Sequence, residues 1–275
     1  DLHLGTLELL RRTGIRFYRP GALEMLKAAG AFVSDGNLVR FPSSLVEDAI
    51  ASTPSRIVMC DRDGEPAVFL ESTRVYFGTG SDCLSLLDPW TGEHRRFTQA
   101  DIVDSYRLCD ALPNIHFVMS NGLPSDVDPS RSYDVQMALM LEHTTKPLVL
   151  VTNDLASCRR AIDMAAAVAG GHAALAEQQH ILLYSEPSSP LKQSETAVDK
   201  LLLMAEAQLP VVHSPGPLMG GTAPITMASG LVMSMAEILS GLVVHQLQRA
   251  GAPFVFGAGL HHMDMGSAQI SYGSP

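Results

Sequence analysis

Residues 209–242, LPVVHSPGPLMGGTAPITMASGLVMSMAEILSGL, carry the decisive pattern. Pro210 to Ser214 reads as a short buried strand. A Pro/Gly-rich loop follows, and then a long helix opened by Gly220-Gly221-Thr222-Ala223-Pro224. Pro is tolerated in a first helical turn, and Thr222 is a natural N-cap. Gly220 and Gly221 let the backbone approach whatever lies above the helix start. Free N–H groups at the positive end of the dipole would suit a carboxylate or phosphate, whereas a plain tight turn would explain the same residues.

Outward from this stretch the same alternation repeats. Strand candidates are residues 75–78, 116–120, 147–152, 181–186, 210–214 and 253–257, nearly all apolar. Helices are expected between them at about 98–111, 131–143, 155–169, 194–207 and 224–249. Strand–helix alternation with apolar strands indicates a parallel sheet covered on both faces. No GxGxxG follows a first strand, so six βα units point to an α/β fold of the (β/α)8 TIM-barrel type rather than a dinucleotide fold. Residues 1–72 read as a small N-terminal α+β extension and 73–275 as the barrel domain, with two C-terminal units absent. The chain starts without Met inside a helix and stops without a closing element, which reads as a fragment.

Composition narrows the function classes. Of 275 residues, 46% are hydrophobic and 17% charged, the balance of a well-buried globular protein. A formal charge of −10 and the lack of any basic run argue against a nucleic-acid partner. The four cysteines, Cys60, Cys83, Cys109 and Cys158, form no CxxC pair and read as reduced thiols of a cytoplasmic protein. The most apolar helix, around 231–244, is interrupted by Glu237, so no membrane span is expected.

In a barrel, function gathers at the C-terminal strand ends. Those ends read Gly78-Thr79-Gly80-Ser81-Asp82, Ser120-Asn121-Gly122, Thr152-Asn153-Asp154, Ser185-Glu186-Pro187, His213-Ser214-Pro215 and Gly257-Ala258-Gly259. Glu186, expected to be partly buried, suits a cation partner or a general base, and equally a loop carboxylate in a salt link. His213 suits a proton carrier, a ligand or a satisfied structural histidine. Glu237, mid-helix on an apolar face, needs a partner and reads as structural. His261 and His262 are adjacent on an extended segment and point to opposite sides, which disfavours a metal site. Tyr76 and Phe256, among the strand-end aromatics, offer faces for a quaternary ammonium at about 0.5–2 kcal/mol per contact, although strand aromatics also serve as core. Gly230, Ser234 and Gly241 would let the long helix pack closely, within the wall or across a homo-oligomer contact.

Several long stretches resemble the trimethylamine:corrinoid methyltransferase (MttB-type) superfamily: HLGTLELLRRTGIRFYRPGALEMLKAAGAFV, LVRFPSSLVEDAIASTPSRI, DALPNIHFVMSNGLPSDV, GGTAPITMASGLVMSMAEILSGLVVHQL and MDMGSAQISYGSP. The resemblance implies a (β/α)8 barrel. It also implies transfer of a methyl group from an amine to the Co(I) of a corrinoid (cobalamin) carried by a partner protein. Trimethylamine users in this superfamily carry pyrrolysine at a site that falls downstream of YGSP. Relatives without it use quaternary amines such as glycine betaine, and the non-pyrrolysine branch is the expectation here. A betaine head would rest on Glu186 or an aromatic face, and its carboxylate would meet Gly221 and Thr222. Two other classes remain open at this point: a non-catalytic betaine-binding protein, and a barrel lyase for a small carboxylate, which would want a strand-end lysine (Lys146 or Lys192).

Overall fold

A computed structural model of the chain describes residues 1–272, so the closing Gly273-Ser274-Pro275 of the last quoted motif lies outside the described residues. Two compact units emerge, Asp1–Pro54 with Ser185–Pro275, and Ser55–Tyr184.

The first unit begins with α1 (Leu2–Arg12), which buries Thr6, Leu7 and Leu10. Gly14 turns the chain at φ 82, where a Cβ would collide with the Val39 carbonyl oxygen. Next come β1 (Ile15–Phe17), α2 (Pro20–Ala28) with Pro20 in its first turn, and the antiparallel pair β2 (Phe32–Ser34) and β3 (Leu38–Arg40). Asp35 and Gly36 close that hairpin with positive φ values of 47 and 78. The helix α3 (Ser43–Ser52) stops short of Pro54.

The second unit opens with antiparallel β4 (Ile57–Cys60) and β5 (Pro66–Leu70), then a hairpin of β6 (Ser85–Leu87) and β7 (His94–Arg96). Arg95 pins that hairpin between Asp88 at 2.8 Å and Asp101 at 2.6 Å. The helices follow their caps. A Thr98/Asp101 capping box starts α4 (Gln99–Ala111), and an Asp154/Ser157 box starts α6 (Leu155–Ala169), which Gly170 ends at φ 91. Around them lie β8 (Val118–Met119), α5 (Ser132–His143), β9 (Leu148–Leu150), α7 (His172–Gln178) and β10 (Ile181–Ser185). The strands β8, β9 and β10 are parallel, with Val118 opposite Leu148 and Leu148 opposite Ile181.

The chain then supplies the rest of the first unit. Its elements are β11 (Lys192–Gln193), α8 (Glu195–Ala207), β12 (Val211–His213), β13 (Leu218–Met219), α9 (Met227–Gln248), β14 (Phe254–Phe256), β15 (His261–Asp264) and β16 (Gln269–Ser271). Two residues of β11 run parallel to β1, β12 runs parallel to β14, and β13 runs parallel to β15. The core of this unit is α9. Every residue from Ala236 to Gln246 is buried, against α1, α3, α8 and α2. A helix apolar on all sides belongs inside a fold. It is also long and apolar enough to cross a membrane, and 67% of its most apolar window is buried here.

The expected alternation is therefore present as a mixed α/β fold with parallel strands, and two local expectations are corrected. Residues 75–78 form no strand, but Gly78 makes a single parallel bridge to Phe117. The long helix starts at Met227 with Thr226 in the cap position, so Thr222 is not its N-cap. The β6–β7 hairpin, α7, β13, β15 and β16 have too short or too polar a pattern to stand out beforehand.

Gly241 faces the His213 ring so closely that a Cβ would lie 2.6 Å from Cδ2 and 2.8 Å from Nε2. Gly241→Ala gains about 1 kcal/mol of helix propensity but overpacks a pinned ring at about 1–3 kcal/mol. The expected result is a net loss of stability of about 1 kcal/mol, read as a lower urea midpoint at unchanged slope.

Candidate functional site

At the ends of β12 and β14 the parallel pairing outlasts the strands. Gly257 N donates to His213 O at 3.3 Å, Gly259 N to Pro215 O at 3.0 Å and His261 N to Pro217 O at 3.2 Å. Pro215 and Pro217 have no N–H to return, so the ladder is one-sided until β13 and β15 form. Gly257 is required where the two chains touch, because a Cβ there would lie 2.7 Å from the Ser214 Cβ.

His213 lies fully buried beneath this rim. Its Nδ1 is 3.3 Å from Ser185 Oγ and its Nε2 is 3.2 Å from Gln193 Oε1. Gln193 Nε2 in turn donates to the Glu237 carbonyl at 2.8 Å and to Ser240 Oγ at 3.0 Å. With both nitrogens engaged, this histidine orients its neighbours rather than meeting solvent. Burial, reinforced by His245, lowers its pKa to about 3, and burial alone does the same for His245. The His245 Nδ1 faces Gln246 Nε2 at 3.2 Å, its Nε2 has no hydrogen-bond partner, and its ring stands edge-on to Phe254 at 5.2 Å.

Glu237 has the partners its burial demands. Ser189 Oγ donates to Oε2 and the Leu191 amide to Oε1, each at 2.7 Å. Burial raises its pKa against those two bonds.

Other sequence candidates are placed differently. Glu186 is exposed rather than partly buried. Gly221 N and Ala223 N both donate to Leu218 O, and Thr222 Oγ1 accepts from Leu218 N at 2.9 Å, so this segment is a closed turn ahead of α9. Phe256, opposite His213 in register, is 48% exposed and offers a ring face. Tyr76 belongs to the second unit, edge-on to His116 at 5.2 Å. Its hydroxyl pKa is lowered by the Phe69 amide first and the Arg74 guanidinium second. Lys146 donates to the carbonyls of Cys109 and Leu112, each at 2.6 Å, at the N-terminal end of β9. Lys192 is exposed on β11. Among the described residues no three His, Cys, Asp or Glu side chains are grouped to hold a metal ion.

The second unit has a strand-end arrangement that sequence reasoning did not single out. Residues 79–83 run beside 119–123: Asn121 N donates to Gly80 O at 3.1 Å and Cys83 N to Asn121 O at 2.8 Å. Thr79 Oγ1 bonds both the carbonyl and the amide of Met119. Asp82, at φ 46, accepts from Ser120 Oγ at 2.7 Å and from Tyr133 hydroxyl at 3.3 Å. The only signal in the sequence was an acid after the small-residue run at a strand end.

The buried imidazoles set a pH dependence. An unfolded histidine protonates near pH 6.5, and the folded pair only near pH 3. Their contribution is complete above pH 6.5 and declines as pH falls toward 3, by about 2 kcal/mol per histidine at pH 5. Urea melts at pH 7 and 5 should show that loss, and His245→Phe should halve it. Separately, Glu237→Leu strands the Leu191 amide and the Ser189 hydroxyl, at a cost of about 1–3 kcal/mol for each buried group left unpaired. The same melts measure it.

Comparison with known proteins supplies the context. Residues 1–275 match the family described as Trimethylamine methyltransferase (MTTB). Trimethylamine methyltransferase MttB of Desulfitobacterium hafniense is 33% identical over 275 residues, covering 100% of this chain and 55% of the relative. Glycine betaine methyltransferase of the same species is 26% identical over 279 residues, 100% of this chain and 57% of the relative. Trimethylamine methyltransferase MttB of Methanosarcina barkeri is 29% identical over 283 residues, again with 57% of the relative covered. The chain thus spans about half the length of the curated relatives it matches. The crystal structure of the hydroxylamine MtmB complex superposes with a TM-score of 0.55 at 11% identity, covering 96% of this chain and 59% of that one, a likeness of fold alone.

Proposed function

Because the chain belongs to the trimethylamine methyltransferase family, we propose that it acts in moving a methyl group from a methylated or quaternary amine to the Co(I) corrinoid of a partner protein. The observation that carries this reading is the family match along the whole chain, joined by relatives named for trimethylamine and for glycine betaine. The (β/α)8 barrel, with residues 1–72 as its extension, belongs to the same proposal. It is supported by the parallel runs β8–β9–β10 and β12–β14 and by the fold likeness to the MtmB chain.

A quaternary nitrogen has no lone pair and leaves as a neutral amine once its methyl is taken, so it needs no acid to protonate it. The corrinoid, when its carrier docks, supplies the nucleophilic metal centre that accepts the methyl. This chain's residues have the remaining tasks of holding the amine in line and keeping water out. The fit is supported by the open ring of Phe256, which is 48% exposed. Phe256 offers an exposed ring face to the cation. His213 holds the strand ends in register through Ser185 and Gln193.

The test is methyl transfer by the full-length protein. With trimethylamine or glycine betaine and reduced cob(I)alamin, the visible spectrum should convert to that of methylcobalamin. Tight amine binding without conversion would instead favour a binding protein. Phe256→Ala should raise KM by about 2- to 30-fold, the equivalent of one cation–π contact, with kcat nearly unchanged.

A further inference from the structure

We propose that Asp82 is the anionic contact for the methylated ammonium head, its carboxylate held in place by Ser120 and Tyr133. This rests on the amine reading above and assigns it a residue. The carboxylate is half-buried, and hydroxyl groups donate to both of its oxygens. Among the described residues no Arg, Lys or His forms an ion pair with it. The neighbouring acids differ: Asp88 and Asp101 share Arg95, Asp134 meets Arg160, and Glu71 meets Arg56 and Arg74. Asp82 therefore has hydrogen-bond donors but no compensating charge. A quaternary ammonium is complementary to that state, because it brings charge and no donor.

The mount is rigid. Ser120 is fully buried, and its carbonyl accepts from the Tyr106 hydroxyl at 3.1 Å and from Gln136 Nε2 at 3.0 Å. Gln136 Nε2 also holds the Gly122 carbonyl at 2.6 Å. Asp82 and Asn121 both sit at φ 46, a left-handed conformation that Asp and Asn tolerate better than most residues. Phe97 covers Gly122 so closely that a Cβ there would lie 2.5 Å from the ring. The charge of Asp82 is felt locally, adding to the burial that pushes the Tyr133 hydroxyl up to about 12.

Calorimetry on the full-length protein tests this with tetramethylammonium, glycine betaine and its uncharged-head analogue 3,3-dimethylbutanoate. Asp82→Asn should weaken tetramethylammonium and betaine about 10- to 100-fold and leave the analogue unchanged, with the thermal midpoint near that of the parent. Tyr133→Phe should weaken the two cations a few-fold. Equal losses for cation and analogue, or parent-like cation affinity in Asp82→Asn, overturn the assignment while the parent's methyl transfer leaves the amine reading standing. A parent protein that neither binds tetramethylammonium nor transfers methyl overturns both. If Asp82→Asn does not fold, Tyr133→Phe decides: selective cation loss supports the assignment and no loss removes it.

Discussion

A carboxylate at the centre of a buried helix governs the assembly of the first unit. Glu237 lies in a stretch of α9 with no solvent exposure, and leaving it there alone would cost several kcal/mol. The Ser189 hydroxyl and the Leu191 amide meet it, which brings residues 187–193 down onto the helix. Two residues later Gln193 bonds the Glu237 carbonyl, Ser240 and His213. The same short strand pairs with β1, so the N-terminal hairpin is tied to the same helix. Helix, loop, sheet and strand-end histidine follow from one requirement, that buried polar groups be paired.

The two units use their polar groups in different ways. In the first, His213 and His245 are buried and neutral, and bring shape and hydrogen bonds without charge. In the second, Asp82 accepts a hydroxyl hydrogen bond on each of its carboxylate oxygens.

Legibility varied with the physical origin of each feature. The helices expected at about 98–111 and 155–169 lie where the Thr98/Asp101 and Asp154/Ser157 capping boxes start them in the structure, because caps act within a few residues. The core strands β9, β10, β12 and β14 were equally plain as apolar runs. The start of α9 was misplaced because Gly220 to Pro224 suits either a helix entrance or a turn. Leu218, by donating to Thr222 and accepting from Gly221 and Ala223, makes it a turn. Glu186 looked half-buried from the apolar residues before it, yet it is exposed between the buried Ser185 and Pro187.

The sequence alone determined the α/β alternation, the family and the need of Glu237 for a partner. Each of these is written in local periodicity, in long motifs or in the cost of burying a charge. Only the tertiary structure decided which partner that was, that His213 is enclosed with both nitrogens engaged, and that Asp82 meets Ser120 and Tyr133. Those contacts join residues between 20 and 51 positions apart. No local pattern specifies such pairings, because they exist only once the strands and helices have been packed side by side.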